Sequence, residues 1–248
     1  MEDHPGFATD LLFDRYQGEV TDHDAFWTVR TPGSPDYYFG NYLLLPTPPS
    51  DRDKGWLEAS FDRLIGWDPR IRHRTFQWPL AAGQNSRVAG FVAAGYQYME
   101  CVVLALGAME WQAPTGSDLA PARPFTAADW DQWLAFELAE RDPAHSEERY
   151  LPYLLSRRQL YQAMIDDGLG QWWGLWHQDQ LVASCGLFFT STLGRFQLVR
   201  THAEWRNRGL CRLLLSQVAR QGLARASSLI IVADEHYHAQ RVYRCLLY

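Results

Sequence analysis

The chain has 248 residues, a formal net charge of -6 at pH 7 and a hydrophobic content of 47%. This length allows one large domain or two small ones, and the composition is that of an ordinary soluble globular protein. The negative balance argues against a nucleic-acid-binding function, since such proteins usually carry a basic face. Met1–Pro5 lacks the charge and apolar content of a signal peptide, and no apolar run approaches the roughly 18 residues that span a bilayer. We therefore expect a cytoplasmic protein that binds neither nucleic acid nor membrane.

The cysteines and aromatic residues set two further expectations. Cys101, Cys185, Cys211 and Cys245 lie inside apolar segments without CxxC spacing, so we interpret them as reduced core thiols. The 11 Trp and 12 Tyr are many, and core packing is the favoured interpretation. An aromatic pocket for a cation or a flat substrate is the alternative.

The N-terminal part of the chain has the mixed pattern of an α/β segment. The predicted elements are strands over 26–31 and 41–45, a helix over 54–65, a strand over 74–78, a helix over 87–94 and a strand over 99–106. Gln112–Pro124 is rich in Pro, Gly and small residues and predicts a linker. With a boundary near residue 117, the predicted domains are 1–116 and 117–248.

The C-terminal part alternates more clearly between helices and strands. The predicted elements are helices over 128–140 and 147–166, strands over 171–177, 181–189 and 193–202, a helix over 209–225, a strand over 229–233 and a helix over 238–247. Thr126 is the expected N-cap of the first helix. The short turn Gln178–Gln180 predicts a hairpin, and the late strand–helix–strand unit predicts a parallel pair. The predicted class is α/β, with a mixed sheet and helices on both faces.

The segment Arg206–Arg212, with sequence RNRGLCR, joins a predicted strand to a predicted helix. A turn there would direct backbone N–H groups and a helix N-terminus at one point, which favours phosphate. Gly209 would let the backbone approach a ligand. An exposed, solvated helix end is the alternative. Arginines at a helix N-terminus oppose the macrodipole, however, and a bound anion explains them better.

This segment resembles the acyl-CoA signature of the GNAT N-acetyltransferases, Arg/Gln-x-x-Gly-x-Gly/Ala, with Cys211 at the last small position. The element order over about residues 121–248 is also that of the family. Leu181–Ala183 after its turn is similar to the family's Val-Gly hairpin. Ala239–Tyr248 is similar to Ala-x-x-Leu-Tyr-x-x-x-Gly-Phe, with Leu247 where Gly is usual.

The first half resembles the same family more weakly. Phe91–Tyr96 is similar to a last GNAT helix that ends in Gly-Phe, but no Arg-x-x-Gly-x-Gly precedes the helix predicted over 54–65. We therefore predict that residues 1–116 form a degenerate GNAT-like copy that has lost its CoA loop, in a tandem arrangement. An unrelated α/β domain is the alternative.

The resemblance implies acetyl-CoA as cosubstrate and assigns the site. The loop amides would hold the CoA pyrophosphate, and pantetheine would pair with the preceding strand. The implied cofactor-binding residues are Val199, Arg200, Thr201, Arg206, Asn207, Arg208, Gly209, Leu210, Cys211 and Arg212. Tyr243 matches the family's general acid, with a core Tyr as the alternative. The strand predicted over 193–202 contains no acidic residue, so His202 or Glu204 is the candidate base, directly or through water. A hydrogen-bonded loop histidine is the favoured alternative for His202.

The implied function is acetyl transfer from acetyl-CoA to an amine of an unknown small-molecule or protein acceptor, by direct attack and without metal. The alternative is a non-catalytic acyl-CoA sensor or scaffold. Asp234–His238 has metal-ligand residue types, but a helix start is the favoured interpretation. Cys185 and Cys211 lack an evident base and are disfavoured as nucleophiles. We expect a monomer or homodimer.

One structural expectation follows from the family pattern, which normally continues with two more strands. The edge of the strand predicted over 229–233 would then need another cover, because bare edges invite aggregation. Met99–Leu106 or a second chain could provide it. We expect the N-terminal half to pack on the C-terminal sheet, so that both form one cooperative unit.

Overall fold

The structure is a computed structural model that describes residues 3–81, 83–107 and 121–234. The chain forms two compact units, Met1–Met99 and Glu100–Tyr248. The described residues form a four-stranded sheet in the first unit and a six-stranded sheet in the second. Each sheet combines parallel and antiparallel pairs, as the sequence predicts.

The first unit is built on the sheet order β1-β2-β3-β4. Its elements are α1 (Pro5–Gln17), β1 (Glu19–Asp22), β2 (Trp27–Arg30), β3 (Tyr42–Leu44), α2 (Lys54–Leu64), β4 (Phe76–Gln77) and α3 (Ala89–Ala93). β3 and β4 pair in parallel across α2, which packs Leu57 and Phe61 into the core with Leu43. This strand–helix–strand crossover is what a degenerate second copy of the C-terminal arrangement would contain. The two sheets fit a tandem arrangement.

Two acids precede α2 in a 3-10 turn over Asp51–Asp53, where Asp53 forms a capping box with Ser50 and Asp51 reaches the N-terminal turn of α3. Ser50 N–H donates to Asp53 Oδ2 at 2.8 Å, and Gly90 N–H donates to Asp51 Oδ1 at 2.7 Å. Negative side chains stabilise a helix N-terminus in the way that a bound phosphate would. The segment ahead of α2, which lacks the CoA signature, thus carries negative charge of the chain itself in the turn that leads into the helix.

The second unit has the sheet order β5-β10-β9-β8-β7-β6. Its elements are β5 (Cys101–Gly107), β6 (Arg123–Pro124), α4 (Asp129–Ala139), α5 (Glu147–Asp166), β7 (Gly170–His177), β8 (Gln180–Phe189), β9 (Leu193–Thr201), α6 (Leu210–Gly222) and β10 (Ser228–Asp234). The predicted hairpin β7–β8 is present, and β9 and β10 pair in parallel across α6. The helix predicted over 238–247 lies outside the described residues.

Helices cover both faces of this sheet. Phe196 and Leu229 pack in one core with Leu214 and Val218 of α6. On the other face, Trp172 and Phe188 contact Tyr161 of α5, and Trp172 contacts Trp133 of α4. Side chains alternate across a strand, so the two sets of contacts belong to opposite faces. α4 begins at Asp129 with Ala128 as its N-cap residue, so the N-cap predicted at Thr126 is wrong; the N–H and Oγ1 of Thr126 both donate to Asp129 Oδ2.

β5 covers the outer edge of β10. The two strands pair antiparallel from Ser228 opposite Gly107 to Asp234 opposite Cys101. Of the two covers that the sequence offered, the strand near Met99–Leu106 is the one present, and one cooperative unit of both halves stays a prediction. The compact units divide ahead of β5, however, so this strand belongs to the second unit, whereas the boundary predicted near residue 117 places it in the first. Cys101 is exposed and is not the core thiol that the sequence suggests.

This edge pairing predicts how fragments of the chain behave. A fragment of residues 121–248 lacks β5 and would leave the apolar edge of β10 bare, so we expect it to aggregate. A fragment of residues 100–248 keeps β5 and should therefore stay more soluble than the shorter fragment. Size-exclusion chromatography of the two fragments at equal concentration makes the comparison. An equally soluble, monomeric 121–248 fragment would contradict the stabilising role of β5.

Candidate functional site

The parallel strands β9 and β10 separate partway along their length. They pair only from Leu193 opposite Ser228 to Arg195 opposite Ile230. Beyond that point a cleft of about 300 Å³ opens, lined by Arg195–Val199 of β9 and Ile231–Asp234 of β10. Its volume lies at the lower end of the range for small-molecule sites. Its walls carry strand edges, so a ligand there can pair with backbone.

A β-bulge lies in β9 where the cleft opens. Gln197 pairs with Gly186 and Arg200 pairs with Ser184, so Leu198 and Val199 both lie opposite Cys185. Leu198 has a φ of 48°, which is uncommon for a branched residue. A bulge bends its strand and increases the local twist. We attribute the separation of β9 from β10 to this bend, because β9 stays paired with β8 on its other side.

The loop between β9 and α6 has the geometry of an anion-binding turn. A 3-10 turn over Ala203–Trp205 follows β9, and Asn207 and Gly209 then adopt φ values of 60° and 75°. α6 begins directly after Gly209. A Cβ at Gly209 would meet nothing within 4 Å, so its positive φ, and not crowding, is what favours glycine there. Backbone N–H groups in such a turn converge on one side, next to a helix N-terminus.

The structure divides the four arginines among the implied cofactor-binding residues into two pairs. Arg200 Nε lies 2.9 Å from Glu137 Oε2, and Arg206 forms an ion pair with Glu140. Both arginines are thus held by acids of α4 or of its C-cap. Arg208 is exposed and lies over the Trp205 ring at 4.7 Å, and Arg212 is exposed in the first turn of α6. Arg206 is exposed as well, but its charge is paired with Glu140, so we assign the positive field at the loop mainly to Arg208 and Arg212.

The acids that hold these arginines are functional candidates that the sequence analysis missed. Glu137 lies in the last turn of α4, and Glu140 is its C-cap residue. Carboxylates at a helix C-terminus oppose the macrodipole, so they are expected only where a partner compensates them. That unfavourable placement was the available signal in the sequence. Their partners lie about 60 residues further along the chain, as the separations for Glu140 show.

Glu137 is fully buried, and burial raises its pKa to about 7. Arg200 opposes this rise and Glu140 adds to it. The contact with Arg200 is short but is not aligned as a hydrogen bond, and within the described part of the chain neither carboxylate oxygen of Glu137 accepts one. Loss of water is therefore the larger effect, because a poorly aligned ion pair does not replace the hydration of a carboxylate.

Of the three predicted catalytic residues, the structure describes His202 and Glu204. His202 N–H donates to Val182 O at 2.9 Å, its Nδ1 accepts from Glu204 N–H at 3.3 Å, and its ring stacks on Phe136. Glu204 is exposed, and neither residue is among those that line the cleft. Asp234 is the carboxylate among the lining residues. Tyr243 lies outside the described residues.

Other chemistries have less support in the part of the chain that the structure describes. Burial raises the pKa of the Cys211 thiol to about 12 and raises that of Cys185 as well, so both thiols are poor nucleophiles. Within residues 3–81, 83–107 and 121–234, no group of three or more His, Cys, Asp or Glu residues could hold a metal ion. No helix in those ranges is long and apolar enough to cross a membrane.

Comparison with known proteins gives a family and a fold. Residues 127–246 match the family model described as the acetyltransferase (GNAT) family. A functionally unknown conserved protein from Staphylococcus epidermidis ATCC 12228 has a TM-score of 0.78 at 15% identity, over 93% of this chain and 89% of that one. A GCN5-related N-acetyltransferase from Kribbella flavida has a TM-score of 0.61 at 13% identity, over 98% and 90%.

A third solved structure, a GCN5-related N-acetyltransferase from Sphaerobacter thermophilus, has a TM-score of 0.53 at 22% identity, over 79% of this chain and 64% of that one. At these identities the likeness concerns the fold alone. No curated protein matches the chain. The first two solved structures cover nearly the whole chain, so the two-unit architecture is shared with them.

The buried carboxyl of Glu137 predicts a pH dependence of stability. Its pKa is about 7 in the folded protein, against an ordinary value of 4.5. The contribution of this group to the free energy of unfolding is therefore full below pH 4.5 and is lost as the pH rises through 7. Glu137→Gln cannot ionise. As the pH rises from 5 to 8, we expect the free energy of unfolding of this variant to increase by about 1–3 kcal/mol relative to that of the wild type. Urea unfolding at several pH values measures this.

Asp131→Asn is the matched control, because the Asp131 side chain lies on the same helix and is 86% exposed. Its difference from the wild type should stay constant over this pH range. A constant difference for Glu137→Gln would contradict a raised pKa at Glu137.

Proposed function

Since residues 127–246 belong to the GNAT acetyltransferase family, we propose that the protein is an N-acetyltransferase that uses acetyl-CoA and acts on an amine of a small-molecule or protein acceptor. The observation that carries this proposal is the cleft between β9 and β10, which opens beside the loop that leads into α6. The two features together offer a strand edge for the pantetheine amides and a cluster of N–H groups for the pyrophosphate.

The proposed cosubstrate site follows the path of β9 into α6. Pantetheine would lie in the cleft and pair with the backbone around Val199, where β9 no longer pairs with β10. The pyrophosphate would accept from the N–H groups around Gly209, at the N-terminus of α6. The residues proposed for this site are Val199, Arg200, Thr201, Arg206, Asn207, Arg208, Gly209, Leu210, Cys211 and Arg212.

Within this set the side chains have different roles. Arg208 and Arg212 are exposed and can reach a phosphate, whereas Arg200 and Arg206 are engaged by Glu137 and Glu140. We propose that Arg200 and Arg206 shape the site and that Arg208 and Arg212 supply its positive field.

The proposed reaction is a direct attack of the neutral amine on the thioester carbonyl. A C–N bond forms and the C–S bond breaks, the amine gives its proton to a base, and the departing thiolate takes a proton from an acid. Backbone N–H of β9 would stabilise the oxyanion. Tyr243 is the proposed acid. His202 and Glu204 remain the proposed bases, acting through water because they lie outside the cleft.

The geometry favours Glu204 over His202 as that base. Nδ1 of His202 accepts from Glu204 N–H, so the neutral ring carries its proton on Nε2 and has no second lone pair to offer. The Glu204 carboxylate is exposed and open to water.

A non-catalytic acyl-CoA sensor is the second candidate function. Two observations favour it: β9 contains no acidic residue, and His202 and Glu204 are not among the residues that line the cleft. The two functions differ in one measurement, the release of free thiol from acetyl-CoA in the presence of an amine panel. Release above the acceptor-free rate supports the enzyme, whereas tight CoA binding without release supports the sensor.

Substitution at the loop glycine tests the cosubstrate site. Gly209→Asp puts a negative charge where the pyrophosphate would bind, so CoA affinity should fall at least about 100-fold. Gly168→Asp is the matched control, because Gly168 has a similar φ of 73° and the same open surroundings. Calorimetric titration of both variants with CoA is the measurement. Equal CoA affinities in the two variants would show that the loop at Gly209 is not part of the CoA site.

Substitution at the proposed acid tests the chemistry. Tyr243→Phe keeps the ring and removes only the phenolic proton, so turnover should fall by a factor of about 10 to 10⁴ while CoA affinity stays nearly unchanged. Thiol release under saturating acetyl-CoA gives the rate. An unaltered rate would assign Tyr243 a packing role.

A further inference from the structure

Glu140 lies where α4 meets the segment between β9 and α6. Its side chain is only 5% exposed. One carboxylate oxygen, Oε1, accepts from Ala203 N–H at 2.7 Å, and the other, Oε2, accepts from Arg206 Nη2. Its backbone carbonyl accepts from Arg200 Nη1. One residue thus binds the end of β9, the 3-10 turn and the first position of the RNRG loop.

These contacts fix the backbone directly before the left-handed pair Asn207 and Gly209. Arg206 also donates from Nε to Thr201 O at 3.2 Å, so its guanidinium connects β9 to Glu140. α4 is itself anchored on the sheet through Trp133 and Phe136, which are buried. The loop is therefore held against a fixed support, as a site with preorganised N–H groups requires.

The charges of this arrangement limit what Arg206 can do. A buried carboxylate beside a phosphate site would repel the ligand unless a cation neutralised it. Arg206 is the cation in place, paired with Glu140. Arg206 is 46% exposed, as Arg208 and Arg212 are also exposed, but its guanidinium is held by Glu140 and by Thr201 O.

We propose that Glu140 is a positioning residue for cosubstrate binding: it holds Ala203 and Arg206 so that the loop N–H groups converge on the pyrophosphate, and Arg206 acts through Glu140 and not on the ligand. This proposal rests on the proposed acyl-CoA site.

A double-mutant cycle with CoA tests this proposal. Glu140→Gln keeps an oxygen for Ala203 N–H but loses the ion pair, and we expect about tenfold weaker CoA binding. Arg206→Gln leaves the Glu140 charge uncompensated beside the phosphate, and we expect about 100-fold weaker binding. The double variant removes that stranded charge, so it should recover to about the level of Glu140→Gln. The control is Asp131→Asn, which should bind as the wild type does.

Calorimetric titrations of the full-length variants at two salt concentrations give the affinities, with circular dichroism to verify that each is folded. A double variant that binds no better than Arg206→Gln would mean that Arg206 contacts the ligand and would overturn the proposal. So would wild-type affinity in Glu140→Gln.

The dependence of CoA affinity on salt concentration provides a second measurement, which separates a positioning role of Arg206 from direct contact with the phosphates. Under the proposal, the wild type and the double variant have the same slope of affinity against salt, because the same cations face the phosphates. A smaller slope in the double variant would identify Arg206 as a phosphate ligand. Failure of the wild type to bind CoA would instead remove the proposed function on which this inference rests.

Discussion

The functional half of the molecule depends on one departure from regular sheet geometry, the bulge at Leu198 and Val199 opposite Cys185. Up to Arg195, β9 has neighbours on both sides, and after it β9 keeps β8 and loses β10. Backbone groups in a sheet must be satisfied, so an opened edge inside a sheet needs a ligand or water as its partner. The cleft is thus a consequence of the strand's own path.

The bulge also determines which side chains face α4 and α5. Gln197 and Arg200 are three residues apart, yet Gln197 donates to Tyr161 of α5 and Arg200 approaches Glu137 of α4. In a regular strand two residues at this spacing point to opposite faces. The extra residue brings both to the same face. The bulge therefore opens the cleft on one side of β9 and allows the acids of α4 to hold the segment that follows.

The two units use their crossover helices in contrasting ways. In the second unit, Asn207 and Gly209 take left-handed conformations ahead of α6, and Arg208 and Arg212 beside them are exposed. In the first unit, Asp51 and Asp53 occupy the start of the helical segment that contains α2. A helix N-terminus attracts negative charge in either case, and the difference is whether that charge belongs to the chain or to a ligand. This contrast explains why only the second unit is proposed to bind CoA.

Local pattern was enough to predict most of the second unit. Apolar periodicity located α5, the β7–β8 hairpin and the β9–α6–β10 crossover, because these elements bury one face each. α1 and β1 were missed, although His4 caps α1 and Pro5 opens it. The sequence signals of these two elements are short, and neither element has a strong apolar stripe. Element boundaries differed by a few residues at most of the predicted helices.

The site was predictable only in part, because its contacts are distant in sequence. The loop at Gly209 has a local signature, but Glu140 and Arg206 are 66 residues apart and no spacing rule connects them. The bulge at Leu198 involves no glycine, and the hydrophobic pattern of the strand does not indicate it. The division ahead of β5 depends on a strand pair across the whole second unit, from Cys101 to Asp234. Such features follow from tertiary packing and not from local propensity.

The central claim is that an acyl-CoA ligand fills the opened edge of β9 and the loop before α6. Amide hydrogen exchange of the full-length protein, with and without CoA, tests it most directly, since pairing protects backbone N–H groups. The account predicts protection at 196–199 and 207–211 and none at the start of α2. Protection absent from both segments of the second unit, or found at α2 instead, would contradict it.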